Sequence, residues 1–287
     1  MRLVHVTLHR SGRGVGHHGQ VPGIYDEPEL YEAACAYRDV PVEVAALLRW
    51  SGVHRSASAG PPRSVLELAA GPAEHSRDLA RRGLEATALD LNPAMCARAR
   101  DLAKAAGVSL TVIEGDMRDF SIPSEFDLAI TMLNSLCHLL VLDDLLRHLA
   151  AVAAHLRDGG LYIMELAHPA DFFAAERRTS SEWSTEVGGG TVSVRWGAQD
   201  QIDPVTQITR EHVSVTYLKR GAPLRTVADV VPNRFWTATE LAAAIRLAGR
   251  FDLVASYGDF DADLPLDAPQ AWRMILVLRR EDTSPAS

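Results

Sequence analysis

Four polar residues, Asp90, Asp116, Asn134 and Glu165, and one turn residue, Gly71, stand at or near the ends of successive apolar runs. Carboxylates and carboxamides accept hydrogen bonds from the hydroxyl and amino groups of a ligand. One such residue reads as a turn former; five in register read as a site. Three groups suited to acid–base work fall in the same zone. His138 follows an apolar run in "NSLCHLL", His168 opens "HPADFF", and Glu165 sits inside "LYIMELA". A carboxylate is expensive to bury unless paired, so Glu165 needs either a partner or a substrate. Each of the three is a candidate base for taking a proton from an acceptor. Trp183, Trp196, Tyr217 and Trp236 are candidate walls for an apolar acceptor.

The elements that must carry these residues follow from periodicity and punctuation. "SVLELAA" is a short apolar run suited to a strand covered on both faces. It enters the turn at Gly71, with Pro72 at a first helical position, and the helix stops at Gly83. "EATALD", "VSLTVIE", "FDLAITM" and "LYIMELA" are further strands. Asn92–Pro93 opens the helix between the second and third, and a helix from about Asp143 to Arg157 separates the fourth and fifth. Strand–helix alternation of this kind gives a parallel sheet with helices on both faces, and such sheets bind ligands at the carboxyl ends of their strands. From Thr179 to Val231 the period changes to two. "TVSVRW", "EHVSVTYL" and "TVADVV" read as an inserted antiparallel meander. Thr237 and Glu240 form a capping box before the last helix, and "FDLVASY" and "WRMILVLRR" are the last strands. Upstream, "YEAACAYRDVPVEVAALLRW" reads as two helices divided at Pro41.

Composition sets the outer limits. The chain has 287 residues, of which 47% are hydrophobic, enough for a large core. A net charge of −8 disfavours nucleic acid as a partner. Cys35, Cys96 and Cys137 are an odd number with no CxxC pair, which fits a reducing cytoplasm and neither a disulfide framework nor a zinc site. No run has the length of a membrane helix. No metal is expected: the adjacent His17 and His18 read as part of a solvated tail, and Asp259, Asp261 and Asp263 as a solvated loop.

A dinucleotide loop needs several glycines so that backbone can approach a pyrophosphate. Here "ELAAGPA" keeps Gly71 and has alanine at 69 and 73, which better suits a cofactor without phosphate. The stretch resembles motif I of class I S-adenosylmethionine (SAM)-dependent methyltransferases, and "ALDLNPAM", "EGDMRDF", "FDLAITMLNSLCHL" and "HLRDGGLYIMEL" resemble the motifs of their later strands, over roughly residues 63 to 168. The resemblance implies an α/β, Rossmann-like, doubly wound seven-stranded sheet with an inserted antiparallel β subdomain. It implies SAM as cofactor, held by Glu67, Ala69, Gly71, Pro72 and His75 of the loop, Asp90, Leu91 and Met95 of the second motif, and Asn134 and Ser135 of the fourth. Asp90 would accept from both ribose hydroxyls, Asp116 from the adenine amino group, and Met117 would pack on the ring. "YDEPELYEAACAYRD" resembles the helical lid of small-molecule members, which implies Tyr25, Tyr31, Tyr37 and Arg38 at the methionine end. The expected organisation is a flexible tail (1–22), a lid (23–58), a SAM-binding domain (59–178 and 232–281) and the insert (179–231). The expected activity is methyl transfer to N, O or C of a small-molecule, natural-product-like acceptor, by a cytoplasmic enzyme that forms a homodimer. Two alternatives remain: a nicotinamide-dependent oxidoreductase, and a non-catalytic SAM-binding regulatory protein.

Overall fold

The structure, a computed structural model, describes residues 23–56, 59–173, 181–198, 202–261 and 263–281. The expected tail, with His17 and His18, lies outside them.

The centre is a seven-stranded sheet in the order β10-β11-β5-β4-β1-β2-β3. Its strands are β1 (Ser64–Leu68), β2 (Glu85–Asp90), β3 (Leu110–Glu114), β4 (Phe126–Thr131), β5 (Leu156–Ala167), β10 (Phe251–Tyr257) and β11 (Arg273–Arg280). Strands β1 to β5 are parallel, but β11 runs antiparallel to both its neighbours, so the sheet is mixed. An antiparallel neighbour can follow without the crossover that a parallel strand demands. β1 and β4 are buried at every position, as a central strand covered on both faces must be. The chain turns from β3 back to β4 on the other side of β1. This reversal is the topological switch point where doubly wound sheets take their ligands.

Helices α3 (Glu74–Arg81), α4 (Pro93–Ala106), α5 (Leu142–His155) and α7 (Ala238–Ala248) connect the strands, and α6 (Ala170–Phe173) is a single turn. Asn92 caps α4 by accepting from the amides of Ala94 and Met95, and the Thr237–Glu240 capping box opens α7. Three boundaries differ from expectation. Pro72 lies in the turn ahead of α3, because the N-cap Ala73 is itself left-handed (φ 58°). Strand β5 begins directly after α5 and contains Gly159 and Gly160. The acidic loop is no free loop, for Asp263 accepts from the Trp50 indole at 2.7 Å and from Arg49.

The insert is a sheet of four strands, not three: β6 (Ser181–Val187), β7 (Gly190–Ala198), β8 (Ile208–Lys219) and β9 (Arg225–Arg234), in sequential antiparallel order. Strand β6, "SEWSTEV", has almost no apolar alternation to betray it. The inner face of this sheet (Val192, Val194, Val213, Val215, Val227, Val231) forms a second core with Ile24, Leu30, Ala33 and Ala34. Those last residues belong to a 3-10 turn (Ile24–Asp26) and to α1 (Pro28–Cys35); α2 (Val40–His54) packs instead on the central sheet. The lid therefore joins the insert to the main domain.

Candidate active site

The loop after β1 is curled by three left-handed residues, Ala69 (φ 50°), Gly71 (φ 53°) and Ala73 (φ 58°). For an alanine this conformation costs roughly 1–2 kcal/mol, which only a well-braced loop sustains. The brace is Asp90. Its Oδ2 accepts from the Gly71 amide at 2.7 Å and its Oδ1 from the Asn92 amide at 2.8 Å. A carboxylate has about four acceptor directions, so two remain to face the cavity that Asp90 lines. Burial raises the Asp90 pKa, against the opposing pull of the two amides.

That cavity, about 1260 Å³, gathers most of the expected site. Tyr25, Tyr31, Tyr37, Ala69, Gly71, Asp90, Leu91, Met95, Asp116, Met117, Asn134, Ser135, His138 and Glu165 all line it. A small second cavity of about 40 Å³ shares Tyr31, Cys35, Ala69, Leu133 and Ser135 with it, and holds the remaining loop and lid residues Arg38, Glu67, Pro72 and His75. Of the candidate bases and cofactor residues, His168 alone borders neither.

Under the lid lies a buried ionic network. Arg38 gives Nε to Glu43 at 2.9 Å and Nη2 to both Glu43 and Glu165, the latter at 2.9 Å. Arg273, from β11, pairs with the other oxygen of Glu165 and approaches Glu43 at 3.6 Å. His75 stands between Glu43 (2.8 Å) and Glu67 (3.3 Å). Burial pulls the His75 pKa down, but hydrogen bonds to both glutamates outweigh it and raise it. Burial likewise pushes Glu43 up, yet the bonds from His75 and Arg38 hold it at about 2. Within this tight set two buried donors have no hydrogen-bond partner, Arg273 Nε, which lies 3.8 Å from Asp259, and Arg38 Nη1. The latter belongs to the small cavity beside the curled loop, where a ligand carboxylate would complete it.

Several expected roles change on this geometry. Glu165 cannot act as a free base. Its Oε1 is held by Arg273 and its Oε2 by Arg38 and by the Leu133 amide at 2.9 Å. It braces the exit of β4 instead. His168 donates through Nε2 to the Leu266 carbonyl at 3.0 Å and accepts at Nδ1 from the Ala170 amide at 3.1 Å, so both ring nitrogens are committed. His75 and Glu67 are occupied with each other and with α3, whose Ser76 amide bonds Glu67 at 2.8 Å. They brace the loop from the wall of the small cavity. Asp116 is clasped by Arg118, which donates Nε and Nη2 as well as its amide.

His138 remains as the candidate base. It lies in a 3-10 turn (Ser135–His138) entered through left-handed Leu133 and Asn134. Its Nε2 is 3.2 Å from the Tyr25 hydroxyl, and the two rings meet edge to face. Burial lowers the His138 pKa and raises that of Tyr25. The pair is therefore a neutral imidazole beside a neutral phenol, poised to receive a proton. Of the expected aromatic walls, Trp183 and Trp196 line the cavity. Trp236 is core, its indole bonded to the Leu136 carbonyl. Tyr217 braces the β6–β7 turn through Val187 and Gly188. Sequence reasoning missed Glu43, Glu211, Asn233, Phe235 and Arg273. Glu43 carried a signal, since it interrupts the apolar "VPVEVAALL" of α2.

The methyltransferase-domain family matches residues 65–160 of the chain. Over 266 residues the chain is 26% identical to the cypemycin N-terminal methyltransferase of a Streptomyces species, covering 91% of this chain and 99% of that protein. Over 102 residues it is 29% identical to the dTDP-3-amino-3,4,6-trideoxy-alpha-D-glucopyranose N,N-dimethyltransferase of Streptomyces venezuelae, covering 36% and 41% of the two chains. Its fold matches that of a SAM-dependent methyltransferase from Clostridium acetobutylicum with a TM-score of 0.72 at 16% identity, over 88% of this chain and 97% of that one. Neither the oxidoreductase nor the regulatory alternative finds support among these relatives.

Proposed function

We propose that this chain, which carries a methyltransferase domain over residues 65–160 on a class I fold, is a SAM-dependent methyltransferase that N-methylates an amine of a small natural-product acceptor, with His138 and Tyr25 as the proton-accepting pair. The observation that carries the reading is the neutral Tyr25–His138 couple, 3.2 Å apart, on the wall of the cavity that also holds Asp90. Amine methylation is favoured because the two curated relatives are by name N-methylating enzymes.

When bound, SAM supplies a methyl group on a sulfonium, an already activated leaving group. The chain's task is then alignment and proton removal. Arg38 Nη1, a buried donor without a partner, would take the methionine carboxylate. Asp90 retains acceptor capacity for the ribose hydroxyls, and Asp116 and Met117 on the same cavity wall would meet the adenine. An acceptor ammonium hydrogen-bonds the Tyr25 oxygen. Tyr25 passes its own proton to His138 Nε2 and takes one from the nitrogen, leaving a neutral amine and an imidazolium. The neutral amine so formed would present its lone pair to the methyl group that SAM would supply. The product is the methylated ammonium, and His138 returns its proton to water.

The reading places the enzyme in the cytoplasm, in keeping with three free cysteines and the lack, among the described residues, of any helix long and apolar enough to cross a membrane. A homodimer is checked by light scattering. The direct test is mass spectrometry after incubation with SAM and amine, hydroxyl and carbon-acid acceptors. Methyl addition to amines alone is expected; methylation confined to hydroxyl or carbon acceptors overturns the reading.

A further inference from the structure

Glu211 occupies an unusual slot. On β8 it shares the inner face with Val213 and Val215, which are buried in the second core. Alternation would place another apolar residue there. Instead a carboxylate stands where that face opens onto the cavity. It is held in place: the Trp196 indole donates to its Oε2 at 2.7 Å, and the Asn233 side chain bonds it while accepting from the Cys137 thiol at 3.4 Å. These partners are neutral, and burial raises the Glu211 pKa. A carboxylate positioned in this way lacks only its counter-cation.

The surrounding wall suits a cation. Tyr25, Trp183, Trp196, Phe172 and Phe235 line it, and aromatic rings attract ammonium groups. Among the described residues, the basic side chains at the cavity other than His138 are Arg118 and Arg273. Arg118 is paired with Asp116 and Asp144, and Arg273 with Glu165. Both guanidiniums already face carboxylates, with Arg273 Nε also 3.8 Å from Asp259, so neither is an uncompensated charge for a phosphate.

We propose that Glu211 is the counter-charge that selects the acceptor: the chamber takes an ammonium carried on an apolar body without phosphate, the class of a peptide amino terminus, in preference to a nucleoside-diphosphate sugar. This rests on the N-methylation reading above. Glu211 holds the ammonium through charge and hydrogen bonding, and the aromatic wall covers the apolar part. The proton then leaves through Tyr25 and His138.

The test uses the full-length enzyme with SAM and two probes, a short peptide with an apolar first residue and free amino terminus, and a thymidine-diphosphate amino sugar. The peptide is expected to show kcat/KM at least tenfold above that of the sugar. Glu211→Gln should raise the peptide KM at least tenfold, leave kcat within threefold and leave S-adenosylhomocysteine affinity within threefold. A measurement on the unaltered enzyme guards against misfolding of the variant. The same peptide with a trimethylated amino terminus, a fixed cation, should inhibit competitively, and its N-acetylated form should not. Preference for the sugar nucleotide, equal inhibition by the acetylated peptide, or an unchanged KM in a folded Glu211→Gln variant overturns the inference alone. Failure of the unaltered enzyme to methylate either amine overturns the N-methylation reading itself.

Discussion

At the scale of the residue, catalysis turns on which groups are free. Glu165, His75 and His168 have titratable atoms, but each is committed to protein partners. His138 is bonded only to a phenol and is kept neutral by burial. His138→Ala is expected to lower kcat by about a hundredfold or more, the usual contribution of a positioned base, with S-adenosylhomocysteine binding retained. Because burial lowers the His138 pKa, the acid limb of kcat should lie below the ordinary histidine value of 6.5; a limb above it would assign the proton to another group. That Asp90 and Asp116 line the cavity was readable from position alone, since strand ends in an α/β sheet are sites. The proposed base was not. Which of three candidate groups is free depends on partners as distant as Leu266 and Arg273, brought in by chain segments about a hundred residues away.

At the scale of the element, the lid helices are fastened to the central sheet by the Arg38–Glu43–His75–Glu165–Arg273 set. Glu165→Gln leaves two guanidiniums short of a counter-charge. Breaking a buried pair from one side costs about 3–5 kcal/mol, so thermal stability and cofactor affinity should fall together; scanning calorimetry and a binding titration read both. Full stability in this variant would remove the network from the account. The network also sets a pH window. Glu43 is depressed from 4.5 to about 2, so its contribution, on the order of 3 kcal/mol, is present above pH 4.5 and is lost as pH falls toward 2. His75 is raised above 6.5, so its contribution is complete below 6.5 and is lost as pH rises through its folded value. The melting temperature should therefore be highest between about pH 4.5 and 6.5 and decline on the alkaline side, and His75→Gln should flatten that decline. The periodic elements were legible because caps and apolar runs are local: Asn92 and the Thr237–Glu240 box stand at the expected ends. Strand β6 was not, because its pairing with β7 is decided by the partner strand and not by its own polar sequence.

At the scale of the whole molecule, two cores meet at one cavity. An insert that only roofed the acceptor would leave the cofactor half complete without it. The structure joins them, since α1 and the turn before it are buried against the insert while Tyr25 and Tyr31 of the same segment line the cavity. Val213→Asp, which places an unpaired charge in the second core, should cost several kcal/mol and weaken cofactor binding as well as turnover. Loss of turnover alone would restore the separable picture. The central claim, that the curled loop and Asp90 hold SAM, is tested most directly by calorimetry with S-adenosylhomocysteine on the wild-type chain and on Asp90→Ala. Binding in the micromolar range is predicted, weakened on the order of tenfold to a hundredfold in the variant, as expected for loss of about 1.5–3 kcal/mol of hydrogen bonds to a charged group. Binding of NAD with no response to S-adenosylhomocysteine, or an affinity unchanged in a folded Asp90→Ala variant, would contradict it.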